Sequence, residues 1–120
     1  MKNVLVTGAS SGLGKEIALT LAQNGFKVFA GVRKQEDKAA LEALNPSIQA
    51  VFIDVTSDES VNEAFEVIKS QTDSLYGLVN NAGIALAGPV ECLPVEVIKK
   101  QFEVNVYGAI RTAQKFLPLM

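Results

Sequence analysis

Gly8, Gly12 and Gly14 follow the apolar run Val4, Leu5, Val6 and are interleaved with Thr7, Ser10, Ser11 and Leu13. Small residues placed between a strand and a helix let the backbone turn tightly and pass close to a ligand, because no Cβ atoms stand in the way. The free N–H groups of the helix that follows, together with the positive end of its dipole, seat a pyrophosphate. Binding of a nucleotide is the chemistry this spacing suits. Three more polar stations lie downstream: Arg33, Asp54 with Val55, and the run Asn80, Asn81, Ala82, Gly83.

Each station has its own use. In a dinucleotide site, the residue that reads the adenine ribose sits at the end of the second strand, about 20 residues past the glycine turn. Gly31, Val32 and Arg33 occupy that place, and the first carboxylate after them is Glu36. A guanidinium there pairs with a 2′-phosphate through charge-assisted, bidentate hydrogen bonds. NADP(H) is therefore preferred, with NAD(H) as the second candidate, and Lys34 or Lys15 could reinforce Arg33. Asp54 can accept from an adenine amino group while Val55 packs on the ring. Asn80 and Asn81 offer donors and acceptors, one to tie adjacent strand ends and the other to face the ligand, and Gly83 admits a close approach.

Competing chemistries fail on particular residues. A mononucleotide P-loop requires Gly-Lys followed by Ser or Thr; here Glu16 follows Gly14-Lys15, and Ala9 fills the earlier glycine slot. The spacing Gly8-x-x-x-Gly12-x-Gly14 is wider than GxGxxG. The chain has no histidine, so its one cysteine, Cys92, lacks the usual activating base, and zinc or haem ligation has little to draw on. No metal site is expected.

These stations need elements to carry them. Val4–Val6 reads as a buried parallel strand, and Leu13, Ile17, Ala18, Leu21 and Ala22 repeat at helical spacing before Gly25. Strands are expected over Lys27–Val32, Ile48–Val55 and Leu75–Val79, and a short helix over Gln35–Leu44 ends at Asn45-Pro46. Thr56 and Glu59 read as a capping box for a helix carrying Val61, Phe65 and Ile68. An irregular apolar loop, Ile84–Pro94, leads to a last helix with the apolar stripe Val95, Ile98, Phe102, Val106, Ile110 and Leu117. About four βα units in series give an α/β fold, a Rossmann-like doubly wound parallel sheet occupying residues 1–120 as one domain. The stations then fall at the carboxyl ends of the strands, where such sheets bind ligands.

The composition agrees with a folded globular chain: 120 residues, 48% hydrophobic and 20% charged. A net charge of −2 without a basic cluster gives nucleic acid no footprint. A lone cysteine fits a reducing compartment, and the cytoplasm is the simplest home. No apolar run approaches the ~20 residues needed to span a bilayer.

With these residues in view, the sequence resembles the classical short-chain dehydrogenase/reductase (SDR) family. The likeness is carried by Thr7-Gly8-Ala9-Ser10-Ser11-Gly12-Leu13-Gly14, Asp54-Val55, Asn80-Asn81-Ala82-Gly83 and Asn105-Val106-Tyr107-Gly108, in that order. The resemblance implies hydride exchange between a nicotinamide and the carbon of an alcohol, ketone or aldehyde, and assembly as a homodimer or homotetramer. It gives Asn105 a catalytic role, kinking the last helix and holding a water in a proton relay. The family's serine and Tyr-x-x-x-Lys pair have no counterpart, since Asn80 stands four residues after Tyr76 and Arg111 four after Tyr107. The chain is therefore read as the N-terminal cofactor-binding portion of such an enzyme, incomplete at its C-terminus, with strand four at an open edge and no turnover of its own. The apolar loop suits an apolar substrate. Two alternatives are a truncated nucleotide-binding module without turnover and a nucleotide-sugar epimerase, whose GxxGxxG pattern this turn does not match.

Overall fold

A computed structural model describes residues 1–120. Four parallel strands, β1 (Asn3–Val6), β2 (Lys27–Val32), β3 (Ile48–Phe52) and β4 (Gly77–Val79), form one sheet in the order β3-β2-β1-β4. Between them run α1 (Gly12–Gln23), α2 (Gln35–Glu42) and α3 (Asp58–Lys69). The chain leaves β1 for β2 on one side and later returns to β4 on the other, so the strand order reverses at β1. The crevice above β1 and β4 is the place where such sheets take ligands.

Alternation along the strands builds two cores. Val4, Val6, Val28, Ala30, Ile48 and Ala50 point to one face and join Ala18, Ala22 and Leu41. Leu5, Phe29 and Val51 point to the other and meet Val61, Ala64, Phe65 and Ile68 of α3. Burial on both faces explains why the strand sequences are continuous apolar runs.

After β4, an extended loop and a short 3-10 turn (Val90–Cys92) lead to α4 (Val95–Phe102), with Pro94 at its N-cap. The helix widens into a π segment (Glu103–Gly108) and resumes as α5 (Ala109–Phe116). Phe116 is fully buried and meets Phe65 edge to face, with 5.6 Å between ring centroids. No helix is long and apolar enough to cross a membrane.

Several expectations need correction. The helix cap is Ser57, whose Oγ accepts from Ser60 N at 3.1 Å, and not a Thr56–Glu59 box. Thr56 instead donates its hydroxyl to Asp54 Oδ1 at 2.7 Å. Leu13 is 72% exposed, because it lies on the first turn of α1 where nothing covers it. The ladder of β3 stops at Phe52, although Ile53 N still donates to Val32 O at 2.9 Å. The apolar stripe of the last helix also turns outward: Val95, Phe102, Val106, Ile110 and Leu117 are all exposed. The inward face is the series Val104, Gly108, Thr112, Phe116, each four residues from the next, with Val104 packed on the core and the other three buried.

Candidate functional site

A cavity of about 650 Å³ opens across the carboxyl ends of the strands, within the range of small-molecule sites. It is lined by Gly8, Ser10 and Ser11 after β1, Arg33 after β2, Asp54, Val55 and Thr56 after β3, and Asn81, Ala82 and Gly83 after β4. Segments far apart in sequence thus converge because parallel strands all end on one side.

The glycine turn forms the floor. Gly8 sits at φ +62°, and a Cβ there would lie 2.8 Å from Ala82 Cα, so the two loops touch backbone to backbone. Ser11, which lines the cavity, caps α1 in an extended conformation without a side-chain capping bond, so the first-turn N–H groups of the helix have no side-chain partner from it. Thr7 lies beneath, with no exposed surface. Its Oγ1 accepts from Asn81 N at 3.1 Å and Ala82 N at 3.0 Å and donates to Val79 O at 3.4 Å. One hydroxyl thereby satisfies the backbone where β1 and β4 part.

The two asparagines divide differently from a simple tie and ligand pair. Asn81 Nδ2 donates to Gly8 O at 3.0 Å, locking the β4 loop to the glycine turn, yet Asn81 also lines the cavity. Asn80 lies outside the lining and donates to Ala109 O at 3.3 Å, at the start of α5. Thr7, Gly12, Leu13, Gly14 and Asn105 also lie outside the lining. Thr7 and Gly14 shape the turn from below, and Asn105 pins a wall.

Charges set the far end. Asp54 Oδ1 accepts from Thr56 N at 3.0 Å and from its hydroxyl, leaving Oδ2 without a protein donor. Those hydrogen bonds, chiefly the one from the Thr56 hydroxyl, hold its carboxyl below the ordinary value against the opposing effect of burial, and Arg33 and Arg111 add to them. Arg33 itself is exposed and makes no ion pair, so its guanidinium faces the cavity uncommitted. Arg111 is wholly committed: it donates to Asp58 Oδ1 (2.6 Å), Val55 O (2.6 Å) and Glu103 Oε1 (3.0 Å). Burial works against its charge, and the bonds to Asp58 and Glu103 outweigh that and hold it protonated.

The opposite wall comes from the helix and the loop after β4. Ile84, Leu86, Lys100, Glu103 and Val104 complete the lining. Asn105 Oδ1 accepts from Ile84 N at 2.8 Å, and its Nδ2 donates to Ile84 O at 2.7 Å. Asn105 thus spends both polar groups on one residue's backbone, within the π segment. Gly31 and Val32, named with Arg33 at the second strand end, and Ile84 and Leu86 of the apolar loop do line the cavity, whereas Ile53, Thr56, Lys100, Glu103 and Val104 were not anticipated there. Ile53 and Thr56 flank Asp54 and Val55, a signal that could have found them; the three helix residues carried none.

The donor set suits a dinucleotide: helix N–H groups without a side-chain partner, backbone approach at Gly8, a free carboxylate oxygen on Asp54 and an uncommitted guanidinium at Arg33. Over 120 residues the chain is 40% identical to an uncharacterized oxidoreductase, YbbO, of Escherichia coli K12, covering 99% of this chain and 44% of that protein. It is 38% identical to an NADPH-dependent 3-dehydrocapnine reductase of Ornithobacterium rhinotracheale, covering 100% of this chain and 44% of the relative. A crystal structure of a short-chain dehydrogenase from Streptomyces avermitilis superposes with a TM-score of 0.92 at 33% identity, over 98% of this chain and 45% of that one. The chain therefore spans less than half the length of these relatives. The sequence pattern of the short chain dehydrogenase family runs through residues 2–120, and with the parallel sheet and its glycine turn it shows that the chain belongs to that family.

Proposed function

We propose that this chain is the NADP(H)-holding portion of a short-chain oxidoreductase that interconverts an alcohol with a ketone or aldehyde. The observation that carries this reading is the continuous cavity across all four strand ends, bounded at the β2 end by the uncommitted Arg33 guanidinium. The dinucleotide supplies the hydride chemistry when bound. Arg33 grips a 2′-phosphate, and the Gly8–Ser11 turn with the first turn of α1 carries the pyrophosphate. Asp54 offers Oδ2 to an adenine amino group, and Val55 supplies an apolar surface beside it. Asn105 holds the Ile84 wall of the cavity, opposite the charged end. Ile84 and Leu86 give that wall an apolar loop side, which favours an apolar carbonyl or alcohol substrate.

Three further expectations belong to this reading. The outward apolar stripe on α4 and α5 favours a homodimer or homotetramer. The lone Cys92 favours a reducing compartment, with the cytoplasm as the simplest choice. Neither tyrosine is followed four residues later by lysine, so the 120 residues alone are expected to bind NADP(H) and turn nothing over. Oxidation of NADPH at 340 nm with a panel of apolar ketones and aldehydes tests this; carbonyl-dependent turnover by the isolated chain would contradict it.

A further inference from the structure

Two side-chain amides on the last helix stand one turn apart and do the same thing. Asn105 takes both the N–H and the C=O of Ile84. Gln101 takes both polar groups of Leu86: its Oε1 accepts from Leu86 N at 3.1 Å and its Nε2 donates to Leu86 O at 2.8 Å. The geometry has a simple origin. Four residues of helix rise about 6 Å, and two residues of extended chain advance about 6.6 Å, so carboxamides at i and i+4 meet alternate residues of a strand-like segment. Each amide stands in for a neighbouring strand's backbone. The segment has no partner strand of its own, since the ladder of β4 ends at Val79.

The stitched segment is a wall of the cavity. Ile84 and Leu86 line it from the loop, and Lys100, Glu103 and Val104 line it from the helix that carries the two amides. We propose that Gln101 is a positioning residue that acts with Asn105 to hold the Ile84–Leu86 wall of the cofactor cavity in register with the last helix. The consequence for binding rests on the proposed function. The stitch itself does not.

Three variants of the protein as its gene encodes it separate these claims. Gln101→Leu keeps the side chain's bulk and loses both hydrogen bonds. Amide exchange at Leu86 should accelerate about tenfold, while the urea midpoint of global unfolding stays put. NADP+ affinity should fall about fivefold, the factor one net hydrogen bond is worth. Gln101→Glu adds a readout that a packing role would not move. When ionised, the glutamate can accept from Leu86 N but cannot donate to Leu86 O; when protonated it can do both. Its NADP+ affinity relative to the unsubstituted protein should therefore be several-fold lower at pH 8 and recover toward one at pH 4, below the ~4.3 of an ordinary glutamate. Gln101→Asn, which is too short to reach, should behave like the leucine variant at both values. Unchanged Leu86 exchange in Gln101→Leu would overturn the stitch. Faster exchange with unchanged NADP+ affinity, or a Gln101→Glu ratio independent of pH, would overturn the positioning role. If the unsubstituted protein fails to bind NADP+, the proposed function and the positioning role fall together, and the exchange measurement still decides the stitch.

Discussion

Gly14→Ala is expected to cost about 3 kcal/mol of folding stability, at the upper end of what overpacking usually causes. An added Cβ would collide with Gly8 O and Asn81 Nδ2. Neither can step aside cheaply. Gly8 O is backbone in the glycine turn and already accepts from Asn81 Nδ2 at 3.0 Å, so the intruding methyl lies against both partners of the bond that locks the β4 loop to that turn. Parting them also strains the two amides held by Thr7 Oγ1. Leu13→Ala is the control from the same turn: with its side chain 72% exposed, it should change stability by no more than about 0.5 kcal/mol. Urea unfolding of both variants checks the contrast. A Gly14→Ala protein as stable as the unsubstituted one would mean that α1 does not lie this close to the turn.

The second large effect falls on cofactor choice. Arg33→Ala should weaken NADPH binding about 10- to 100-fold, because hydrogen bonds to charged groups are worth roughly 1.5–3 kcal/mol and each 1.4 kcal/mol is a factor of ten. NADH binding should hardly move, since NADH has no 2′-phosphate to lose a partner. Folding should be untouched as well, because Arg33 is exposed and forms no ion pair. Isothermal titration with both nucleotides separates this outcome from a general loss of binding. Equal losses for the two would place the 2′-phosphate elsewhere.

The parts of this molecule that were legible in the sequence are those whose chemistry is local. The β1 strand, the glycine turn and α1 are contiguous, and a short apolar run followed by closely spaced glycines constrains the backbone almost by itself. The sheet followed from repeated βα alternation. Positions that depend on what lies across space were read less well. Apolar spacing placed Leu13 on the covered face of α1, but on its first turn the side chain is left 72% exposed. It also picked out Val95, Phe102 and Ile110 as the stripe that mattered on the last helix, whereas packing selected Val104, Gly108, Thr112 and Phe116. At Gly108 a close approach to Val55 leaves no room for a Cβ, so this position carries no apolar signal that a hydrophobicity pattern could find, and Phe116 is set by the α3 ring of Phe65 that it meets. The neighbours Asn80 and Asn81 could not be told apart before their partners, Ala109 O and Gly8 O, were in view. Ser57 displaced Thr56 as the helix cap because the hydroxyl of Thr56 is taken by Asp54.

The central claim is that the strand-end cavity holds a dinucleotide with its 2′-phosphate at Arg33. Titration of the protein with NADPH and NADH in low-salt buffer tests it most directly. A preference for NADPH of about tenfold or more, narrowing as salt screens the exposed guanidinium, is the predicted result. Equal affinity for the two nucleotides, or binding of neither, would contradict it.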